Sequence, residues 1–334
     1  MEVYFVDRTE KKVLQISDLE VVYETDEETV YAINGLDLEI EQGETLGLVG
    51  ETGAGKTTLA LSIMKLLPER IGFVKKGNII LDGTNVLEAS QSQMRDLRGE
   101  TVSMIFQDPM TSLNPLITIG KQIEEILFLH NKELTQEERE QRVDQLLEMI
   151  GISPERKQDY PHQFSGGMKQ RIVIAMALAC KPVLLLADEP TTALDVTIQA
   201  QVLKLMMELK NRFQTAIMLI THDLGIVAQT CDRVAVMYSG EIVELGQIKY
   251  IFDKGEFHHP YTIGLFNSIP NIKEESARLN PIEGMMPDPT LQIQGCRFAD
   301  RCAFCTNICK QARPPIVCRN GHMVRCHRYG KEEE

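Results

Sequence analysis

Apolar residues alternate with polar ones between residues 13 and 41. They fall at Val13, Leu19, Val21 and Tyr23 and again at Ile33, Leu36, Leu38 and Ile40, with the acidic turn Thr25-Asp26-Glu27-Glu28 between the two runs. A period of two broken by a turn predicts antiparallel strands. Residues 45–49 form a short, largely apolar strand, and the glycine-rich run behind it passes into a helix with Leu59, Ile63 and Leu66 on one face. Residues 122–149 are charged but keep Val143, Leu146, Leu147 and Ile150 at helical spacing before Gly151 and Pro154, which predicts one helix there. Beyond it, residues 172–179 suit a buried helix, 183–187 a buried strand, 196–210 a helix and 216–220 another buried strand. Strands alternating with helices favour a parallel α/β sheet. From residue 256 the texture changes to proline-rich text, so a large unit over residues 10–255 is expected to carry a smaller one over 256–334.

Composition narrows this picture. A length of 334 residues suits two domains, and 43% hydrophobic residues exclude global disorder. The longest apolar stretch, residues 172–180, is far short of the roughly 20 residues of a membrane helix, and the opening MEVYFVDRTEKK lacks the apolar centre of a signal peptide. Neither a bilayer span nor secretion is expected. With 35 Lys and Arg against 48 Asp and Glu, the net charge of −13 argues against wrapping nucleic acid. Cys296, Cys302, Cys305, Cys309, Cys318 and Cys326 crowd the end of the chain, whereas Cys180 and Cys231 stand alone and suit small buried apolar side chains. Such a cluster points to a metal rather than to disulfides.

Residues Gly50, Glu51, Thr52, Gly53, Ala54, Gly55, Lys56 and Thr57 fit G-x-x-x-x-G-K-[ST] between a strand and a helix, with Thr58 following. Backbone N–H groups of such a loop surround phosphates, Lys56 reaches the β- and γ-phosphates, and the Thr57 hydroxyl ligates Mg²⁺. The strand at 183–187 ends in Asp188 and Glu189, which supply the other half of a nucleoside-triphosphate site. Asp188 holds Mg²⁺ through its water shell, and Glu189 orients or deprotonates the attacking water.

Phe164-Ser165-Gly166-Gly167-Met168-Lys169-Gln170-Arg171 precedes that strand and Ala193-Leu194-Asp195 follows it, His222 closes a further apolar strand, and Gln107 ends another. This set, in this order, resembles the ATP-binding subunit of ABC transporters over residues 13–250. The resemblance implies a P-loop NTPase core of RecA-like α/β type, an N-terminal antiparallel β-subdomain, an α-helical signature subdomain near 110–170, and a small cysteine-rich C-terminal extension. It implies a head-to-tail dimer in which Ser165, Gly166 and Gly167 meet the γ-phosphate of ATP on the opposite subunit. Gln107 would touch Mg²⁺ and the water, His222 the γ-phosphate, and Asp195 would link the two sites. Tyr23 would stack on adenine, with Tyr31 as its substitute. The usual Leu and Gln of the signature are Phe164 and Met168 here.

Gln107-Asp-Pro-Met-Thr-Ser-Leu-Asn-Pro115, with His259-Pro260-Tyr261-Thr262, Pro270 and the cysteine cluster, is similar to bacterial oligopeptide and dipeptide importer ATPases. That implies two integral-membrane permeases, a second ATPase subunit, an extracellular peptide-binding protein, and a place at the cytoplasmic face of the membrane. A nickel importer shares much of the pattern. A soluble ABC-type ATPase acting on DNA would need a long coiled-coil insertion or a basic face, and a GTPase would need Asn-Lys-x-Asp where this chain has Asn131-Lys132-Glu133-Leu134. For the cysteines, spacing alone leaves zinc, completed by His322 or His327, and an iron–sulfur cluster both open. The resemblance selects Cys296, Cys302, Cys309 and Cys326 as ligands of a [4Fe–4S] cluster, with Zn²⁺ as the alternative and a structural staple as its role.

Overall fold

The computed structural model describes residues 11–330 apart from 193, 254 and 269–281. The chain forms strands β1 (Lys12–Glu24), β2 (Thr29–Glu41), β3 (Thr45–Val49), β4 (Gly72–Leu81), β5 (Thr84–Asn85), β6 (Val102–Ile105), β7 (Leu184–Asp188), β8 (Ala216–Ile220), β9 (Arg233–Tyr238), β10 (Glu241–Gln247), β11 (Ile316–Arg319) and β12 (His322–Arg325). The alternating N-terminal segment makes β1 and β2, which join β4 and β5 in an antiparallel sheet of order β2-β1-β4-β5. Its inner residues, among them Leu14, Leu19, Ile33 and Leu38, pack with Leu59 and Ile63 of the helix Lys56–Ile63.

The second sheet has the order β11-β12-β10-β9-β3-β8-β7-β6 and is parallel from β9 to β6. Strands β3, β7 and β8 are buried at every position, as strands covered on both faces must be. The order decides where the chemistry sits. The loops after β3, β8, β7 and β6 leave neighbouring carboxyl ends of one sheet, the edge where open α/β sheets bind ligands.

The region predicted as one helix over 122–149 is two helices, Ile119–His130 and Gln136–Met149. A capping box restarts the second. The Thr135 hydroxyl accepts the Glu138 N–H at 3.3 Å while the Glu138 carboxylate accepts the Thr135 N–H at 2.8 Å, so the chain gains a fresh N-terminus there. Both helices pack with Gly166–Leu178 against β6 to β8.

The C-terminal segment does not sit apart from the sheet. Strand β12 pairs with β10 through Glu244↔Val324 and Leu245↔Met323, and β11 closes the hairpin. Tyr238 on β9, Tyr261 and Phe298 form an aromatic trio with centroids 4.6 to 5.5 Å apart, joining segment and sheet in one apolar cluster. Pro270 and part of the proline-rich text lie outside the described residues.

Candidate active site

The loop after β3 is built on glycines for a steric reason. At Gly55 (φ +102°) a Cβ would lie 2.6 Å from the Ala32 carbonyl oxygen, and at Gly50 it would strike the Met237 carbonyl. Lys56 opens the following helix, and its ammonium donates to the carbonyls of Gly50 (2.7 Å) and Glu51 (2.9 Å), folded back over the loop. Burial pushes the Lys56 amine down, against the opposing pull of Glu189, Asp188 and Glu51.

Opposite the loop, the Thr57 hydroxyl donates to Asp188 Oδ2 at 2.8 Å, which brings the two predicted Mg²⁺ ligands together. Burial raises Asp188, and the charge of Glu189 adds to the rise against the Thr57 hydrogen bond. A buried carboxylate held up in this way, beside a hydroxyl and a second carboxylate, is a donor set of hard oxygens suited to Mg²⁺.

Glu189 is where the scattered motifs converge. Gln107 Nε2 donates to its Oε2 at 3.1 Å, the Thr192 hydroxyl donates to the same oxygen at 3.0 Å, and His222 Nδ1 lies 3.1 Å from Oε1. Burial alone would raise this carboxyl, but the hydrogen bonds from His222, Thr192 and Gln107 outweigh it and hold Glu189 below the usual range. Glu189 also occupies left-handed backbone space at φ +47°, which is uncommon for a residue with a side chain and is held here by its N–H bonding the Ile220 carbonyl at 2.8 Å. Thr192 was not singled out by sequence. Its signal was proximity, three residues beyond Glu189.

A cleft of about 750 Å³ opens above this group and is lined by Thr52, Gly53, Gly55, Lys56, Thr57, Thr58, Gln107, Asp188 and Glu189. Tyr23 and Tyr31 both line it, and the Tyr23 hydroxyl bonds the Thr58 hydroxyl at 3.1 Å. Glu51 faces elsewhere: its carboxylate pairs with Arg301 at 3.0 Å and its N–H donates to the Tyr261 hydroxyl at 2.9 Å. Ala54 is fully buried under the loop.

Ser165, Gly166 and Gly167 line neither this cleft nor the one beside it that His222 lines. Ser165 caps the helix Gly166–Leu178, and Ser165 and Gly166 face solvent. Gly167 is required because a Cβ there would strike Ile198. The two departures in the motif face inward: Phe164 is buried beneath the Arg156 guanidinium, 4.1 Å from its ring centroid, and Met168 Sδ lies 3.9 Å from the same group. Asp195 caps the helix Val196–Phe213 by accepting the Ile198 N–H at 3.0 Å, and Ala193 lies outside the described residues.

In the C-terminal segment, burial is the largest cause raising the thiols of Cys296, Cys302 and Cys326, pushing Cys296 to about 12, and the nearby charge of Cys309 adds to each rise. Among the described residues no three cysteine sulfurs come within 4.8 Å of one another. His322 Nε2 meets Glu244 at 2.8 Å and His327 Nε2 meets the Ala312 carbonyl at 2.9 Å, which leaves one ring nitrogen of each histidine outside these contacts. Cys180 and Cys231 are pushed by burial to about 11 and about 12, as inert packed thiols would be.

Sequence spacing gave no sign of a fully buried group on β10. Glu244 Oε1 meets His258 Nδ1 at 2.7 Å and His322 Nε2 at 2.8 Å, while Oε2 accepts the His259 N–H at 2.7 Å. His258 Nε2 also bonds the Asp253 carbonyl at 3.0 Å. Both of its partners only accept, so the ring carries two protons and a positive charge.

Residues 33–192 match the family described as "ABC transporter", and residues 243–309 match "Oligopeptide/dipeptide transporter, C-terminal region". The chain is 46% identical to the probable peptide ABC transporter ATP-binding protein y4tR of Sinorhizobium fredii, over 94% of each chain. Two Bacillus subtilis proteins are also 46% identical: the oligopeptide transport ATP-binding protein AppD, over 96% of this chain and 97% of the relative, and the dipeptide transport ATP-binding protein DppD, over 95% and 94%. Among solved structures, the dimeric ATP-binding cassette MJ0796 bound to ADP and Pi aligns with a TM-score of 0.63 at 27% identity, over 70% of this chain and 98% of that one. The cassette cbiO1 from Clostridium perfringens aligns with a TM-score of 0.64 at 29% identity, over 73% and 92%.

Proposed function

The chain belongs to the ATP-binding subunits of oligopeptide and dipeptide ABC transporters, which hydrolyse ATP to power peptide import, and from that premise we propose how its residues divide the work. The convergence of Gln107, Thr192 and His222 on Glu189, next to the Thr57–Asp188 pair, carries the reading. The loop N–H groups from Gly50 to Thr58 cradle the phosphates, and Lys56 turns from the loop carbonyls to the β- and γ-phosphates. Thr57, Asp188 and Gln107 would hold Mg²⁺, which would supply positive charge against the phosphates. Glu189, kept ionised by its three donors, accepts the proton of the attacking water or orients it, and His222 swings from Glu189 to the γ-phosphate.

Ser165, Gly166 and Gly167 complete the site of a second ATPase subunit, identical or homologous. The solvent exposure of Ser165 and Gly166 and the absence of all three from the clefts of their own chain support this, and Asp195 is likewise exposed. The subunit works at the cytoplasmic face of the membrane with two integral permeases and, outside, a peptide-binding protein. No helix among the described residues is long and apolar enough to cross a membrane, so the spans belong to those partners. We assign residues 10–255 to the ATPase domain and 256–334 to the importer-type extension.

Within that extension Cys296, Cys302, Cys309 and Cys326 suit a [4Fe–4S] cluster. Sulfurs around one zinc ion at about 2.3 Å would all lie within about 4 Å of one another, and among the described residues no three cysteine sulfurs are that close. Bound, the cluster would tie residues 296–309 to Cys326 beyond the β11–β12 hairpin. A brown absorbance in anaerobically purified protein, with iron on metal analysis, tests this against colourless zinc.

The decisive experiment for the nucleotide site is Glu189→Gln in the full chain. ATP binding persists and the protein migrates as a dimer with ATP during gel filtration. Wild-type turnover by that variant would remove Glu189 from its role.

A further inference from the structure

The cleft above the phosphate loop has a wall that the ATPase domain does not supply. Residues 285–289 line it together with Tyr23 and Tyr31. This segment is fixed from both directions. On one side the Tyr31 N–H donates to the Pro289 carbonyl at 2.8 Å, and Gln292 Nε2 donates to the Tyr31 hydroxyl at 2.8 Å. On the other, the Arg301 guanidinium donates to the carbonyls of Ile282 (3.1 Å) and Glu283 (3.0 Å) while pairing with Glu51 of the loop itself. Met286 is half-buried, and its methyl lies over the loop, 3.2 Å from where a Gly53 Cβ would stand.

The chemistry of this wall identifies the part of the ligand it faces. Met286, Pro287 and Pro289 offer a thioether and two pyrrolidine rings, apolar and poor in hydrogen-bond donors. Asp288 is exposed, and its bonds to the Thr290 hydroxyl and N–H keep it ionised. A negative charge among groups with little to donate repels phosphate, but a polarizable sulfur beside aromatic rings accepts the flat face of a base. The phosphate end is already served by Lys56 and the loop amides.

We propose that residues 285–289 form the second wall of the nucleobase site, with Met286 touching the base, so that nucleotide affinity is set in part by the C-terminal extension. This rests on the nucleotide-site reading above. The extension then reports on nucleotide occupancy directly, through Met286 over Gly53 and Arg301 on Glu51.

The test is equilibrium binding of ATP, ADP and inorganic tripolyphosphate to the intact chain. Met286→Ala weakens ATP and ADP by about fivefold, as expected for losing a few buried apolar atoms, and leaves tripolyphosphate within twofold. Met286→Leu restores the affinity. Gln292→Ala, an exposed change that cannot unfold a core, releases Tyr31 and weakens ATP by about twofold without moving tripolyphosphate. Unchanged ATP affinity in both alanine variants, with Lys56→Ala still weakening all three ligands, overturns the wall and leaves the nucleotide site standing. Equal weakening of tripolyphosphate and ATP by Met286→Ala also overturns it, because the loop rather than the base would be affected. If Lys56→Ala weakens none of the three, the nucleotide reading falls and the wall falls with it.

Discussion

Two carboxylate centres occupy the same sheet and differ in how their charge is met. On β10, Glu244 is fully buried, and its two oxygens are taken by two histidines and a backbone N–H. At the end of β7, buried Asp188 has one hydroxyl as its partner and a like charge next to it, and it is raised as a result. A closed set of partners is a staple, whereas an unbalanced set facing a cleft is poised for a cation and a substrate. Burial of an acid says little by itself. What distinguishes the two is whether the neighbours leave any capacity unused.

The largest expected effect breaks the open centre. Glu189→Gln lowers steady-state phosphate release by about 10³-fold or more, and loss of less than tenfold would place the base elsewhere. The closed centre should respond only in stability. Glu244→Gln leaves His258 facing a weaker acceptor and costs about 3 kcal/mol in urea unfolding, while ATP affinity stays at the wild-type value. A stability change below about 0.5 kcal/mol would show that Glu244 is not a staple.

A third measurement asks whether the open centre takes up the missing partner. Mg²⁺ with ATP at 100 times its Kd should stabilise the wild type by about 2.7 kcal/mol in thermal unfolding, and Asp188→Asn should lose most of that gain. Equal gains in the two proteins would exclude Asp188 from the metal site.

The smallest effect is in pH. Glu244 is held below its ordinary 4.5, chiefly by His258 and His322 against the effect of burial, so its contribution is present above pH 4.5 and is lost as pH falls through the lower value. His258 is raised above 6.5 by Glu244, so its contribution is present below pH 6.5 and is lost as pH rises through the higher value. The stability gap between wild type and Glu244→Gln should therefore peak between pH 4.5 and 6.5 and narrow by about 1 kcal/mol on each side. His259, pushed to about 4 by burial, contributes above pH 6.5 and loses that contribution as pH falls to about 4. A gap that does not vary with pH would mean the histidines carry no charge there.

Legibility in the sequence followed the range of the interactions. The phosphate loop could be read because its eight residues are contiguous and each of its glycines takes a positive φ. Asp188 and Glu189 could be read because an apolar strand leads straight to them. The restart at Thr135 was written in Thr135-x-x-Glu138 but was masked by the stronger apolar period on either side. The pairing of β12 with β10 was not legible, since it joins residues some 80 positions apart with no turn to announce it. A similar distance, 78 positions, hid His322 from Glu244, whereas His258 is only 14 positions from Glu244. The one available signal was a glutamate inside the apolar run of β10, a residue that a buried strand tolerates only with partners. The wall at residues 285–289 has no motif because its function comes from position rather than from residue chemistry at a fixed spacing.

The hairpin of β11 and β12 has one more effect, on the flank of the large sheet. Without it, β10 would present a row of unpaired N–H and C=O groups along a strand that is buried almost throughout, and bare flanks of that kind recruit strands from other copies of the chain. With it, the outermost strand is the short β11, mostly exposed and ending in Arg319. A protein cut after residue 255 would keep its catalytic loops and yet be expected to self-associate, so the extension also guards solubility.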